Sequence, residues 1–144
     1  MQASNTNHNP TTSPTWWIEV SPTNRWKMFD TSNTTTTENA NTIEISLLPG
    51  KAINPLALLG VIAAEVTVVM TDPIDGVVYN QTFQLLDTSG ITNWYAYFFT
   101  ELKYKKQLII TELPSFKDAT LDTTITNTGS TAKCGVCVIG TTQL

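Results

Sequence analysis

Twelve carboxylates, one histidine and two cysteines are the residues of this chain equipped for acid–base, metal or nucleophilic chemistry, and their spacing works against all three. Acid–base catalysis needs carboxylates that converge in a cleft with their pKa values driven apart. Here they are scattered, and Asp72, Asp75, Asp87 and Asp118 fall at turns. A Ser–His–Asp or Cys–His site would have to use His8, which sits in a polar N-terminal tail. Cys134 and Cys137 have the CxxC spacing of zinc and redox sites, but no second cysteine pair exists to complete a zinc shell. A redox CxxC also expects a helix to start after its first cysteine. The segment Lys133 to Gly140 reads instead as a strand, on which residues three apart point to opposite faces. Both cysteines are therefore expected to be structural. Asp72-Pro73-Ile74-Asp75-Gly76 falls short of the six to eight oxygens that calcium takes, and reads as a turn. No catalytic residue, metal ligand or cofactor is expected, and the chain reads as a non-enzyme.

Binding chemistry has a better candidate. Three of the four tryptophans fall within Trp16 to Trp26, mixed with Pro22, Asn24, Arg25 and, a little further on, Asp30. Exposed tryptophan and tyrosine rings stack on sugar rings. Trp17, Trp26 and Tyr95 are the candidate platforms, with Asn24, Arg25 and Asp30 as hydrogen-bonding neighbours. The competing and favoured reading is that these rings plug the end of a β-sandwich core, each burying roughly 150–250 Å². Arg25 would then brace Asp30 or a backbone carbonyl.

The elements that would position these residues are read from composition and periodicity. A chain of 144 residues fits one domain with one core. Only 14% of it is charged, and threonine is the commonest residue. Threonine suits a pleated, half-solvated surface, so the bias points to an all-β protein with a neutral, hydroxyl-rich exterior. A net charge of −4 argues against a nucleic-acid partner, whose phosphates call for clustered Lys and Arg. The one basic run, Lys103-Tyr104-Lys105-Lys106, reads as a solvated loop or a charged strand edge that blocks stray pairing, with a weak acidic contact as the alternative. Residues 1–14 show neither the basic nor the apolar region of a signal peptide, and Leu56 to Ala64 is too short to span a bilayer. The expectation is a chain made and kept in a cytoplasm, or released by lysis rather than secretion, with no membrane partner. Residues 1–14 read as a flexible arm, and 15–144 as the β-sandwich domain.

Along that domain, a strand is expected near Trp16–Val20, a loop or single turn over Asn24–Asp30, and an exposed loop over Thr31–Asn41. Thr42–Leu48 alternates, with Ile43, Ile45 and Leu47 inward, until Pro49-Gly50 ends it. Leu56–Gly60 reads as a short strand buried on both sides. Ala64–Thr71 and Val77–Leu85 alternate on either side of the Asp72–Gly76 turn. Asn93–Thr100 carries aromatic residues on both faces, so neither face is expected to be fully wet. Gln107–Leu113 is apolar, and Ala119–Thr126 has the cleanest alternation. Asn127-Thr128-Gly129-Ser130 is expected to turn the chain into a last strand, Lys133–Gly140. About eight or nine strands with turns at this spacing predict an antiparallel β-sandwich of two sheets in jelly-roll topology.

The pattern Trp16-Trp17-x-x-Val20-x-Pro22-Thr23-Asn24-Arg25-Trp26-x-Met28-Phe29-Asp30 is followed by Pro49-Gly50 and then Asn54-Pro55-Leu56-Ala57-Leu58-Leu59-Gly60. With the closing segment Ala132-Lys133-Cys134-Gly135-Val136-Cys137-Val138-Ile139-Gly140, it resembles a domain of tailed-bacteriophage virion proteins with a galactose-binding-like jelly roll. The similarity covers about residues 15–140. It implies a structural component of a virion, in its tail, neck or surface, whose partners are other virion proteins and copies of itself. It carries over no sugar site residue by residue. A carbohydrate-binding module for attachment to the host surface, with a glycan as its partner, is the alternative from a different functional class.

Overall fold

In the computed structural model, residues 9, 12, 22–30, 32, 34–101 and 103–141 are described. The expected strand near Trp16–Val20, Trp17 itself and almost all of the expected arm lie outside them. The alternation read over Thr42–Leu48, Ala64–Thr71, Val77–Leu85 and Ala119–Thr126 folds as strands. Strands β1 (Thr37–Leu47), β3 (Glu65–Asp72), β4 (Gly76–Gln84) and β8 (Thr120–Cys134) form a four-stranded antiparallel sheet in the order β1-β8-β3-β4. A second antiparallel sheet, in the order β7-β2-β9, contains β2 (Leu56–Leu59), β7 (Gln107–Ile110) and β9 (Val136–Ile139). The two sheets pack like a sandwich. A separate ribbon pairs β5 (Leu86–Asp87) with β6 (Lys103–Tyr104).

Registers explain why the core closes. On the larger sheet, Ile43, Ile125 and Val66 lie side by side, as do Ile45, Thr123 and Val68, and then Leu47, Leu121 and Met70. Pleating sends all nine toward the second sheet, which answers with Leu56, Leu58, Ile110 and Cys137. The outer face of the larger sheet is polar. Thr67 and Thr82 share a 2.9 Å hydroxyl hydrogen bond, and Gln84 Nε2 donates to Glu65 at 2.9 Å. This is the hydroxyl-rich exterior that the composition predicts. The Asp72–Gly76 turn also forms: Asp72 Oδ2 accepts from the backbone N–H groups of Ile74 and Asp75, and Gly76 takes φ +76°.

Four expectations are corrected. Thr31–Asn41 is not a loop throughout, because β1 begins at Thr37, whose side chain is buried. Asn127–Ser130 does not turn the chain around. Strand β8 runs straight through it as a bulge, with Ala40 opposite Thr131 but Thr42 opposite Thr126. The extra residues are held by Asn127 Nδ2 donating to Thr131 O and by Gly129 N–H donating to Asn41 Oδ1. Asn41 and Gly129 both take positive φ, of 64° and 78°. The expected two-faced strand at Asn93–Thr100 is instead a short helix, α1 (Trp94–Phe99), capped by Asn93 Oδ1 accepting from Ala96 N–H. Its five rings are all exposed. Finally, β2 is buried on one side only: Leu56 and Leu58 are enclosed, while Leu59 is 38% exposed.

The cysteines also depart from the strand rule. The chain leaves the larger sheet after Cys134 and enters the smaller one at Val136, so both side chains enter the core from opposite walls. The corner is Gly135, whose α-carbon is so close to Leu59 O that an added Cβ would lie 3.0 Å from it. Both thiols are free and buried. Burial, with a smaller push from Cys137, raises Cys134 to about 12, and burial raises Cys137 to about 11.

Candidate functional site

A six-residue 3₁₀ helix, Asn24–Phe29, lies against β1, within the segment read as a loop or single turn. Its docking is polar and specific. Asn24 Nδ2 donates to Glu38 O at 2.7 Å and Asn24 Oδ1 accepts from Glu38 N–H at 3.0 Å, so the side-chain amide pairs with the edge of β1 as another strand would. Thr37 Oγ1 donates to Asn24 O and accepts from Met28 N–H at 3.0 Å. Met28 is thereby fixed in the core at 4% exposure, and the rings on either side of it are left outside.

Between this helix and β1 lies an open groove of about 220 Å³, lined by Arg25, Trp26, Phe29, Glu44, Ser46 and Leu47 among others. Trp26 is 56% exposed and Phe29 38%, with ring centroids 5.9 Å apart. Arg25 holds its guanidinium carbon 5.5 Å from the Trp26 centroid, a cation–π geometry. The groove thus offers an apolar floor with a cation, a carboxylate and a hydroxyl around it.

The structure sorts the six candidate residues. Arg25 and Trp26 share the groove. Trp26 does not plug the core, contrary to the favoured reading. Asn24 is spent on the backbone of β1. Asp30 is not braced by Arg25; it accepts from Ser32 N–H at 2.9 Å and from Thr35 Oγ1 at 2.8 Å, closing the turn into β1. Tyr95 belongs to α1, where its ring packs on Phe99 at 4.6 Å, and it does not line the groove. Trp17 lies outside the described residues. Glu44 and Ser46, the groove's polar wall, were missed by the sequence reading because outward strand positions look the same whether or not something packs beside them.

A second feature is the outer face of the smaller sheet. Ala57 lies between Ile109 on β7 and Val138 on β9, and Leu59 lies between Gln107 and Val136. Ile109 is 58% exposed and Val138 51%. Unlike the outer face of the larger sheet, this one presents aliphatic side chains to solvent.

Among the described residues, no three His, Cys, Asp or Glu side chains group together as metal ligands, and the Lys133–Glu38 pair, at 2.8 Å, is the one salt bridge. Its hydrogen bond to Lys133, with a second from Thr36, holds the Glu38 carboxyl below its usual range. No family model, no curated protein and no solved structure matches this chain.

Proposed function

We propose that this chain is a structural protein of a tailed-phage virion, a tail, neck or surface accessory component that acts by symmetric assembly with copies of itself and with other virion proteins. One observation carries the reading: the row Ile109–Ala57–Val138, with Leu59 beside it, is an aliphatic sheet face left open in the isolated chain. An antiparallel sheet with one face in water ordinarily alternates apolar-in and polar-out, so an aliphatic outer face calls for a cover. Here the core covers one side, and a neighbouring subunit is the natural cover for the other. Closed symmetry would repeat that contact around an axis. The resemblance of residues 15–140 to virion domains supplies the setting. A jelly-roll ancestry belongs to the same proposal. It is supported by the chain's passage from sheet to sheet through β1, β2 and β3, although the β3–β4 hairpin stays within one sheet.

The test is sedimentation of the purified chain over a concentration series. The wild type is expected to self-associate, and Ile109→Ser/Val138→Ser to sediment as a monomer with unchanged circular dichroism. A wild type that stays monomeric at every concentration, and is recovered only in light fractions of a producing-cell lysate, overturns the proposal.

The exposed groove favours a second reading, a carbohydrate-binding module for host attachment. Trp26 would take the apolar face of a sugar ring, with Arg25, Glu44 and Ser46 available to its hydroxyls. A saccharide that binds there quenches tryptophan fluorescence, and Trp26→Ala abolishes the quench without unfolding. A flat titration across bacterial surface glycans argues against this reading.

A further inference from the structure

Helix α1 is where the chain departs most from the rules of a folded surface. Trp94, Tyr95, Tyr97, Phe98 and Phe99 are 61–75% exposed, and none of them joins the core. They pack on one another instead. Trp94 meets Phe98 edge-on at 6.4 Å, Tyr97 meets Phe98 at 5.4 Å, and Tyr95 meets Phe99 at 4.6 Å. The helix sits at the end of the two-stranded ribbon of β5 and β6, away from both main sheets in connectivity.

We propose that α1 is a membrane-contact tip that seats its rings in the interfacial region of a lipid bilayer with anionic headgroups. The distribution of the rings decides between this and a protein groove. At about 100° per residue the five rings span roughly 200° of the helix circumference, leaving only half-buried Ala96 on the remaining side. A helix docked in a protein groove needs an apolar stripe of at least about 100°, about half of the arc that these rings cover. A fluid interface surrounds a tip, and so covers a wider arc. Tryptophan and tyrosine also suit that depth, with an apolar ring and a polar edge that stays wet.

Charge at the base agrees. Lys103, Lys105 and Lys106 follow directly on the helical excursion, in a chain whose net charge is −4. Between residues 86 and 106 the acidic residues are Asp87 and Glu101. Asp87 is engaged by Ser89, whose N–H donates to it at 3.0 Å. The local balance of these five groups is therefore positive, one unit, from three lysines against two carboxylates. No helix among the described residues is long and apolar enough to cross a membrane, so the contact is interfacial. The earlier expectation of no membrane partner rested on the lack of a spanning run, which interfacial contact does not require.

The experiment is flotation of the full chain with vesicles of phosphatidylcholine, alone or with 30 mol% phosphatidylglycerol. The wild type is expected to float with the anionic vesicles and to show a blue-shifted tryptophan emission. Trp94→Phe should float while losing most of that shift. Trp94→Ser/Phe98→Ser should lose at least about tenfold in binding with unchanged circular dichroism, since both side chains are exposed and support no core. Lys103→Gln and Lys105→Gln should each weaken binding to the anionic vesicles by about fivefold. Failure of the wild type to float overturns the proposal, as does flotation that survives Trp94→Ser/Phe98→Ser. Self-association that depends on these two rings without any flotation assigns the tip to a second copy and overturns it equally.

Discussion

Thr123 is a polar residue in an apolar row of the core. It sits between Ile45 and Val68 in the middle of the larger sheet, 1% exposed, and its hydroxyl has no hydrogen-bond partner among the described residues. A buried polar group without a partner carries a desolvation cost that an apolar isostere avoids. Thr123→Val is expected to raise stability by about 1 kcal/mol, read from the urea midpoint at constant slope. A loss of stability would show that the hydroxyl is satisfied. Ala119, Leu121 and Ile125 were legible as inward residues from the alternation. Thr123 shares their parity, but its type masks its place. Trp26 shows the converse: its type suggests the core, while the polar docking of Asn24 and Thr37 turns its ring outward.

At the scale of elements, the decisive joint is the corner between β8 and β9. Gly135 passes so close to Leu59 O that a Cβ would stand 3.0 Å away, against a backbone atom that cannot swing aside. Gly135→Ala is expected to cost about 1–3 kcal/mol, as other overpacked core sites do. At Gly90 the nearest atom to an added Cβ is a threonine methyl carbon at 3.5 Å, so Gly90→Ala serves as control and should change stability by less than about 0.5 kcal/mol. Equal melting temperatures for the two variants would mean that the corner relaxes freely. The same corner explains why the cysteine spacing misled. Opposite faces follow from one continuous strand, and the chain changes sheets between the two residues. Asn127–Ser130 misled in the other direction. A run of turn-forming residues became a bulge, because β1 pairs with β8 on both sides of it.

For the whole molecule, the two thiols report on the closure of the sandwich, since one lies in each sheet. An exposed thiol in the unfolded chain ionises near about 8.5. In the fold, burial holds Cys137 to about 11 and Cys134 to about 12. Below the unfolded value both states hold their protons, and this contribution to stability is complete. As pH rises from about 8.5 towards the folded values, the unfolded chain releases protons that the fold retains, so stability falls. The urea midpoint should therefore drop between pH 8 and pH 10.5, and Cys134→Ala/Cys137→Ala should drop less over that range. An identical drop in both proteins would mean that the thiols are not held in the folded core.

The sequence by itself determined the mostly-β class, the apolar inward residues of Thr42–Leu47, of β3 and of Ala119–Ile125, the Asp72–Gly76 turn and the hydroxyl-rich face of the larger sheet. All of these follow from local periodicity and turn chemistry, which each segment carries alone. Tertiary structure decided which strands share a sheet, which outer face stays aliphatic, and where the aromatic residues go. Leu56–Gly60 reads as buried on both sides, yet only the pairing of β2 with β7 and β9 shows which side is left open. Asn93–Thr100 has the composition of a strand, but it joins none of the sheets among the described residues; its backbone is satisfied as a helix, and its rings face outward.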